Sequence, residues 1–122
     1  MRVLVCGSRE YNNVAKICTE LHNLLMENGN LVVIEGGARG ADGVAADWAK
    51  HHRLDHVQHI SFPAQWNKYG KSAGMIRNRQ MLEEGKPDLV LAFYSGPEKS
   101  KGTANMVSQS SKAEVRVAEY FG

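Results

Sequence analysis

The stretch "LVVIEGGARGADGVAADWA", residues 31 to 49, decides the fold. "LVVI" (31 to 34) is an unbroken apolar run rich in Val and Ile, the mark of a strand covered on both faces within a parallel sheet. Four glycines, at 36, 37, 40 and 43, follow at once. Val44, Ala45, Trp48 and Ala49 then recur at helical spacing over about 41 to 52, with Trp48 expected in the core. The unit is a strand, a glycine-rich turn and a helix.

Working outward, "VLVC" (3 to 6) repeats the buried-strand pattern. Val14, Ile17, Cys18, Leu21, Leu24 and Leu25 mark a helix that Asn28-Gly29 stops. Downstream, strands are expected at 57 to 61 ("VQHIS"), 89 to 94 ("LVLAFY") and, as an edge, 115 to 120 ("VRVAEY"), with helices about 73 to 84 and 103 to 113. Strict alternation of five strands with four helices implies a single α/β domain over residues 1 to 122. It is a Rossmann-like doubly wound fold of about five parallel strands with helices on both faces.

Composition agrees with one soluble domain: 122 residues, 43% hydrophobic and 23% charged, with no low-complexity tract. Fifteen basic residues interspersed with thirteen acidic ones leave a net charge of +2, which argues against a broad nucleic-acid or membrane footprint but leaves room for a local basic pocket. No apolar stretch approaches the ~20 residues that span a bilayer, and "RVLVC" has no signal-peptide pattern, so a cytoplasmic location is expected. Cys6 and Cys18 have neither CxxC nor zinc spacing and read as reduced, buried small side chains.

Ligands of such sheets bind outside the carboxyl ends of the strands, so the residues just after each strand are the candidates. These are "GSRE" (7 to 10), "GGARGAD" (36 to 42), "SGPEKSKGTANM" (95 to 106) and the long segment "FPAQWNKYGKSAGMIRNRQ" (62 to 80), which ends at a helix start bearing Arg77, Asn78 and Arg79. Glycines at strand-to-helix turns let backbone N–H groups approach a ligand, and a helix N-terminus adds partial positive charge; phosphate is the expected guest. Arg9, Arg39, Arg77, Lys99 and Lys101 lie in or near these loops and could add charged contacts. Asp42 has two readings, a helix cap or a ribose contact, and Thr103 is a cap or a phosphate ligand. Trp66 and Tyr69 are open to base stacking or loop packing.

Other motifs fail. "GKS" (70 to 72) lacks the Walker glycine, since that position is Gln65, and the glycines at 37, 40 and 43 do not space as GxGxxG. His51, His52, His56 and His59 read as solvated surface residues, with no Cys or carboxylate at zinc spacing; neither a metal nor a cofactor is expected.

Five motifs in order, "GSR" (Gly7 to Arg9), "GGARGAD" (Gly36 to Asp42), "PAQW" (Pro63 to Trp66), "IRNR" (Ile76 to Arg79) and "GTANM" (Gly102 to Met106), resemble the SLOG superfamily. That superfamily joins the DNA-processing protein DprA, the LOG phosphoribohydrolases and small stand-alone YspA/YpsA-related domains of bacteria and their phages. The stand-alone branch matches best, and the resemblance spans nearly the whole chain. It implies a pocket for a nucleotide or nucleotide-derived ligand, a nucleoside phosphate or an ADP-ribose-like molecule, in a sensor or binding module. Gly7, Ser8 and Arg9 would form the floor, and Gly36, Gly37, Ala38, Arg39 and Gly40 the phosphate cradle. Asp42 would contact the sugar, Trp66 would stack, and Arg77, Asn78, Gly102 and Thr103 would form the opposite wall.

Enzymatic members cleave an N-glycosidic bond with an arginine matched by Arg77 and a glutamate whose position here is Met106. Methionine has no charge to stabilise an oxocarbenium-like sugar, which weighs against catalysis. A phosphoribohydrolase-like reading would need Asp42, Glu35 or Glu98 as the carboxylate beside Arg77. A DprA-like single-stranded DNA reading is a further alternative, not favoured by the modest charge. Relatives commonly pair, so a homodimer or higher homo-oligomer is expected.

Overall fold

The computed structural model describes residues 1–96 and 100–122. Strand β1 (Arg2–Gly7) leads through α1 (Val14–Asn28) to β2 (Leu31–Glu35), α2 (Ala41–His51) and β3 (Val57–Ser61). A single helical turn α3 (Trp66–Tyr69) and a 3-10 turn (Gly70–Ser72) precede α4 (Ala73–Glu83). The chain then forms β4 (Leu89–Tyr94), α5 (Lys101–Lys112) and β5 (Arg116–Phe121). All five strands pair in parallel in the order β3-β2-β1-β4-β5, so the α/β doubly wound arrangement expected from the alternation is the observed one.

Strand residues alternate between two cores, as period-two geometry requires. Val3, Val5, Val33, Leu91 and Phe93 meet Ile17, Leu21, Ala45 and Trp48 of α1 and α2. Leu4, Cys6, Ile34, Val90 and Ala92 meet Met81 of α4 and Met106 of α5 on the opposite face. Central β1 is therefore apolar on both sides, with Val3, Leu4 and Val5 fully buried, which is why "VLVC" has no polar alternation.

Local signals set the ends of α1. The Asn13 side chain accepts from Lys16 N at 3.1 Å at its start, and Gly29, at φ 78°, takes the left-handed conformation that ends it. The short α3 is an addition to the four helices expected, because four residues are too few to show helical periodicity. Cys6 and Cys18 are both free, Cys6 buried and Cys18 half-buried.

From β1 the chain proceeds through β2 to β3 on one side, and from β4 to β5 on the other. Strand order thus reverses between β1 and β4. The loops after these strands stay tied, with Ser8 N donating to Phe93 O at 2.9 Å and Ser95 N to Ser8 Oγ at 3.3 Å. A crevice opens above them, where ligands of open α/β sheets bind. Among the described residues no helix is long and apolar enough to cross a membrane.

Candidate functional site

Among the described residues the crevice shows two adjoining lobes. The larger, about 620 Å³, lies between the end of β1 and the facing sides of α4 and α5; Gly7, Asp42, Asn78, Lys101, Gly102 and Thr103 help line it. The smaller, about 500 Å³, lies over the turn after β2, with Gly36, Gly37, Arg39, Pro63 and Ala64 in its wall. Arg9, Ala38, Trp66 and Arg77 line both. Twelve of the fourteen residues assigned to the pocket from sequence therefore border it, counting each residue named here once.

The other two, Ser8 and Gly40, lie beneath it. Ser8 is buried and holds the β1 and β4 loops together. Gly40, at φ 81°, sits where a Cβ would strike the carbonyls of Ser8 and Arg9, so backbone approach requires glycine there. Gly7 is crowded in the same way by Phe93 and Ala41.

The turn "GGARGAD" is arranged differently from an empty phosphate cradle. Gly36 N donates to Asp42 Oδ2 at 2.9 Å, Ala38 N to the same oxygen at 3.4 Å, and Gly37 N to Glu35 Oε1 at 2.6 Å. Two carboxylates thus take up the three amides a phosphate would have used. Asp42, in the first turn of α2, also places its charge where the helix dipole favours an anion. Neither reading of Asp42 from sequence anticipated this, since the carboxylate turns back to the loop rather than capping its helix.

Glu35 lines neither lobe. It is buried at the end of β2, and its second oxygen lies 2.9 Å from His59 Nε2. His59 is accordingly not a solvated surface residue. Burial is the first cause that raises Asp42, to about 6; the Gly36 amide and Arg77 oppose that rise, and the nearby charge of Glu35 adds to it. Burial also pushes the Cys6 thiol far up, so at neutral pH it is a protonated wall group.

Arg77 is half-buried on the second turn of α4. Its Nη1 donates to Gly36 O and its Nε to Asn78 Oδ1 at 2.9 Å, which fastens α4 to the turn after β2. Burial lowers its pKa, opposed by the charges of Asp42 and Glu35, and a guanidinium remains charged regardless. Asn78 Nδ2 reaches across to Gly102 O and Asn105 Oδ1, each at 3.1 Å, and so joins α4 to α5. Arg79 points outward to Glu83, at 2.9 Å.

Ser100, not Thr103, caps α5: its Oγ accepts from Thr103 N at 3.4 Å and donates to Thr103 Oγ1 at 2.7 Å. The α5 first turn holds no acidic residue, and the amides of Lys101 and Gly102 have no intrahelical carbonyl to bond. The start of α5 thus meets the crevice with no acidic side chain beside it among the described residues, whereas α2 has its own carboxylate. Lys99 and Glu98 lie outside the described residues. Tyr69 is exposed and lines neither lobe, while Trp66 is half-exposed over both.

Sequence reading missed Lys71, Met75 and Asn105, which also line the large lobe. All three lie within the candidate segments 62 to 80 and 95 to 106, and the helical spacing of Asn105 after Lys101 and of Met75 after Lys71 is the signal that could have singled them out. Met106 is fully buried in the core below α5 and lines neither lobe.

Residues 1–69 match the model of the YAcAr family, described as the YspA, cpYpsA-related SLOG family. The "Gene 61 protein" of Mycobacterium phage D29 is 36% identical over 98% of this chain and 95% of its own length. Among solved structures, DNA processing protein A from Helicobacter pylori, described for its single-stranded DNA binding mode, superposes with a TM-score of 0.67 at 18% identity over 98% of this chain. DprA from Streptococcus pneumoniae gives 0.50 at 15% identity over 96%. This chain spans 64% and 58% of those two proteins, and at such identities they bear on the fold alone.

Proposed function

The chain belongs to the YspA, cpYpsA-related SLOG family, and from that premise we propose that its crevice binds a nucleotide or nucleotide-derived ligand as a binding or sensing module. The observation that carries this reading is the shared wall: Arg9 and Arg77 line both lobes together with half-exposed Trp66. Guanidinium groups offer bidentate contacts to phosphate, and the indole offers a face for a base. Asn78, Asn105 and Thr103 add neutral polar groups that can orient a ligand, beside the apolar Met75 and Met81 and the charged Lys71, Lys101, Glu10 and Asp42 of the same wall. Because the amides after β2 are held by Glu35 and Asp42, phosphate recognition falls to the arginines and the start of α5 rather than to the glycine turn.

Isothermal titration with nucleoside mono- and diphosphates, ADP-ribose and cyclic nucleotides tests this. Binding of at least one, weakened about tenfold or more by Arg77→Ala, is the expected result; no binding across the panel would overturn it. Cleavage of an N-glycosidic bond has little to support it. Met106 is in the core, Glu35 is outside the crevice, and Asp42 is committed to two amides; Glu98 lies outside the described residues. Incubation with nucleoside monophosphates should release no free base by chromatography.

A second reading, single-stranded DNA binding, draws on the fold shared with the Helicobacter pylori protein and on the row of cations Arg39, Arg9, Arg77, Lys71 and Lys101 along the open crevice. A gel shift with an oligonucleotide that is lost at moderate salt would favour it.

A further inference from the structure

We infer that the crevice takes two linked nucleotide units rather than one, a dinucleotide that passes beneath Trp66 and Arg77 with one unit in each lobe. This rests on the nucleotide-binding reading above and specifies its substrate class. Each lobe alone has room for a ligand-sized group, and a mononucleotide would leave one of them empty.

The lobes also differ chemically. Besides the shared arginines, the large one combines Met75 and Met81 with Asn78, Asn105 and Thr103, the cations Lys71 and Lys101 and the carboxylates Glu10 and Asp42, a mixed setting for a base, its sugar and a terminal phosphate. The small one is walled by Arg9, Arg39 and Arg77 with Pro63 and no carboxylate side chain, a setting for phosphate and the flat side of a second nucleoside. Trp66 and Arg77 stand at the boundary and line both lobes, so the bridging phosphate falls beside Arg77 and a base beside the indole. Glycine at 36 lets Arg77 hold its place at that boundary, since a Cβ there would strike its guanidinium.

The shared chemistry is a phosphate-linked pair of nucleosides, and it could arrive free or as a step within a single strand. Equilibrium titrations of the full chain with four probes separate these: 5′-phosphorylated mononucleotides, nucleoside 3′,5′-bisphosphates, 5′-phosphorylated dinucleotides and a ten-nucleotide strand, in ribose and deoxyribose series. The dinucleotide is expected to bind about tenfold or more tightly than the mononucleotide, the scale of one further stacked base. Arg39→Ala should narrow that gap, because Arg39 lines the small lobe only, whereas Lys101→Ala in the large lobe should weaken both probes in parallel.

No gain beyond two units identifies a free dinucleotide, and continued gain identifies a strand; either supports two occupied lobes. Equal affinity for mono- and dinucleotide, or a bisphosphate that matches the dinucleotide, overturns the inference while leaving nucleotide binding intact. Failure of every probe overturns both.

Discussion

Gly36 and Gly40 lie four positions apart in one turn, yet the same substitution should affect them differently. At Gly40 the new Cβ would strike backbone carbonyls of Ser8 and Arg9 at a φ of 81°, and backbone cannot yield. Gly40→Ala should therefore cost about 2 kcal/mol or more in urea unfolding. At Gly36 the Cβ meets only the end of the Arg77 side chain, which can move. Gly36→Ala should leave stability within about 1 kcal/mol, the central size of point-mutant effects, while weakening nucleotide affinity by displacing Arg77. Equal losses of stability in the two variants would contradict this division. Asp42 makes a second residue-scale prediction. Its folded value of about 6 exceeds the ordinary carboxylate value of about 4, so the folded chain takes up the proton first as pH falls. Stability from this group is present below about pH 4 and lost as pH rises through 6. The wild type, measured against Asp42→Asn, should gain on the order of 2–3 kcal/mol between pH 7 and pH 4. A flat difference would show that Glu35, His59 and Arg77 around it hold the carboxylate near its ordinary value. Sequence located both the glycines and Asp42 but not these roles, because a carboxylate's choice of partner depends on how the loop closes around it.

At the scale of elements, α2 and α5, which both start at the crevice, differ in a way only the folded chain reveals. The strands were legible because β1, β2 and β4 are apolar on both faces, and α1 because Asn13 and Gly29 bound it chemically. The start of α5 was less so, since Ser100 and Thr103 are both competent caps in sequence and only their geometry distinguishes them. Met106 illustrates the same limit. Its spacing after Thr103 pointed to a catalytic position in the resemblance, but on α5 it shares the buried face with Thr103 and Ser110 and enters the core against Cys6 and Val90. Met106→Glu should accordingly bury an unpaired carboxylate, costing about 3 kcal/mol or more, and confer no release of base from nucleoside monophosphates. Met106→Leu, similar in volume, should stay within about 1.5 kcal/mol. A Glu variant as stable as the wild type would mean that this position can reach the crevice after all.

For the whole molecule, the reversal of strand order decides where charge can act. Net charge is only +2, yet Arg9, Arg39, Arg77, Lys71 and Lys101 border one crevice at one edge of the sheet. Such a distribution gives a short-range site rather than a long basic track, and salt dependence distinguishes the two. Each phosphate engaged on a single strand contributes a slope of roughly −0.7 to log affinity against log salt concentration. A free dinucleotide held by its two phosphates, too short to carry a condensed counterion atmosphere, should then show a slope shallower than about −1.4 between 50 and 200 mM salt, the range over which counterion release is usually read. A strand drawn along the whole row of cations, and so engaging about four phosphates or more, should approach roughly −3. The shallow slope is the expected result, because the five cations that border the crevice all stand in the walls of the two lobes. A slope near −3 with the ten-nucleotide strand would instead mean that the surface beyond the crevice takes part, and the strand would then be the natural form of the ligand.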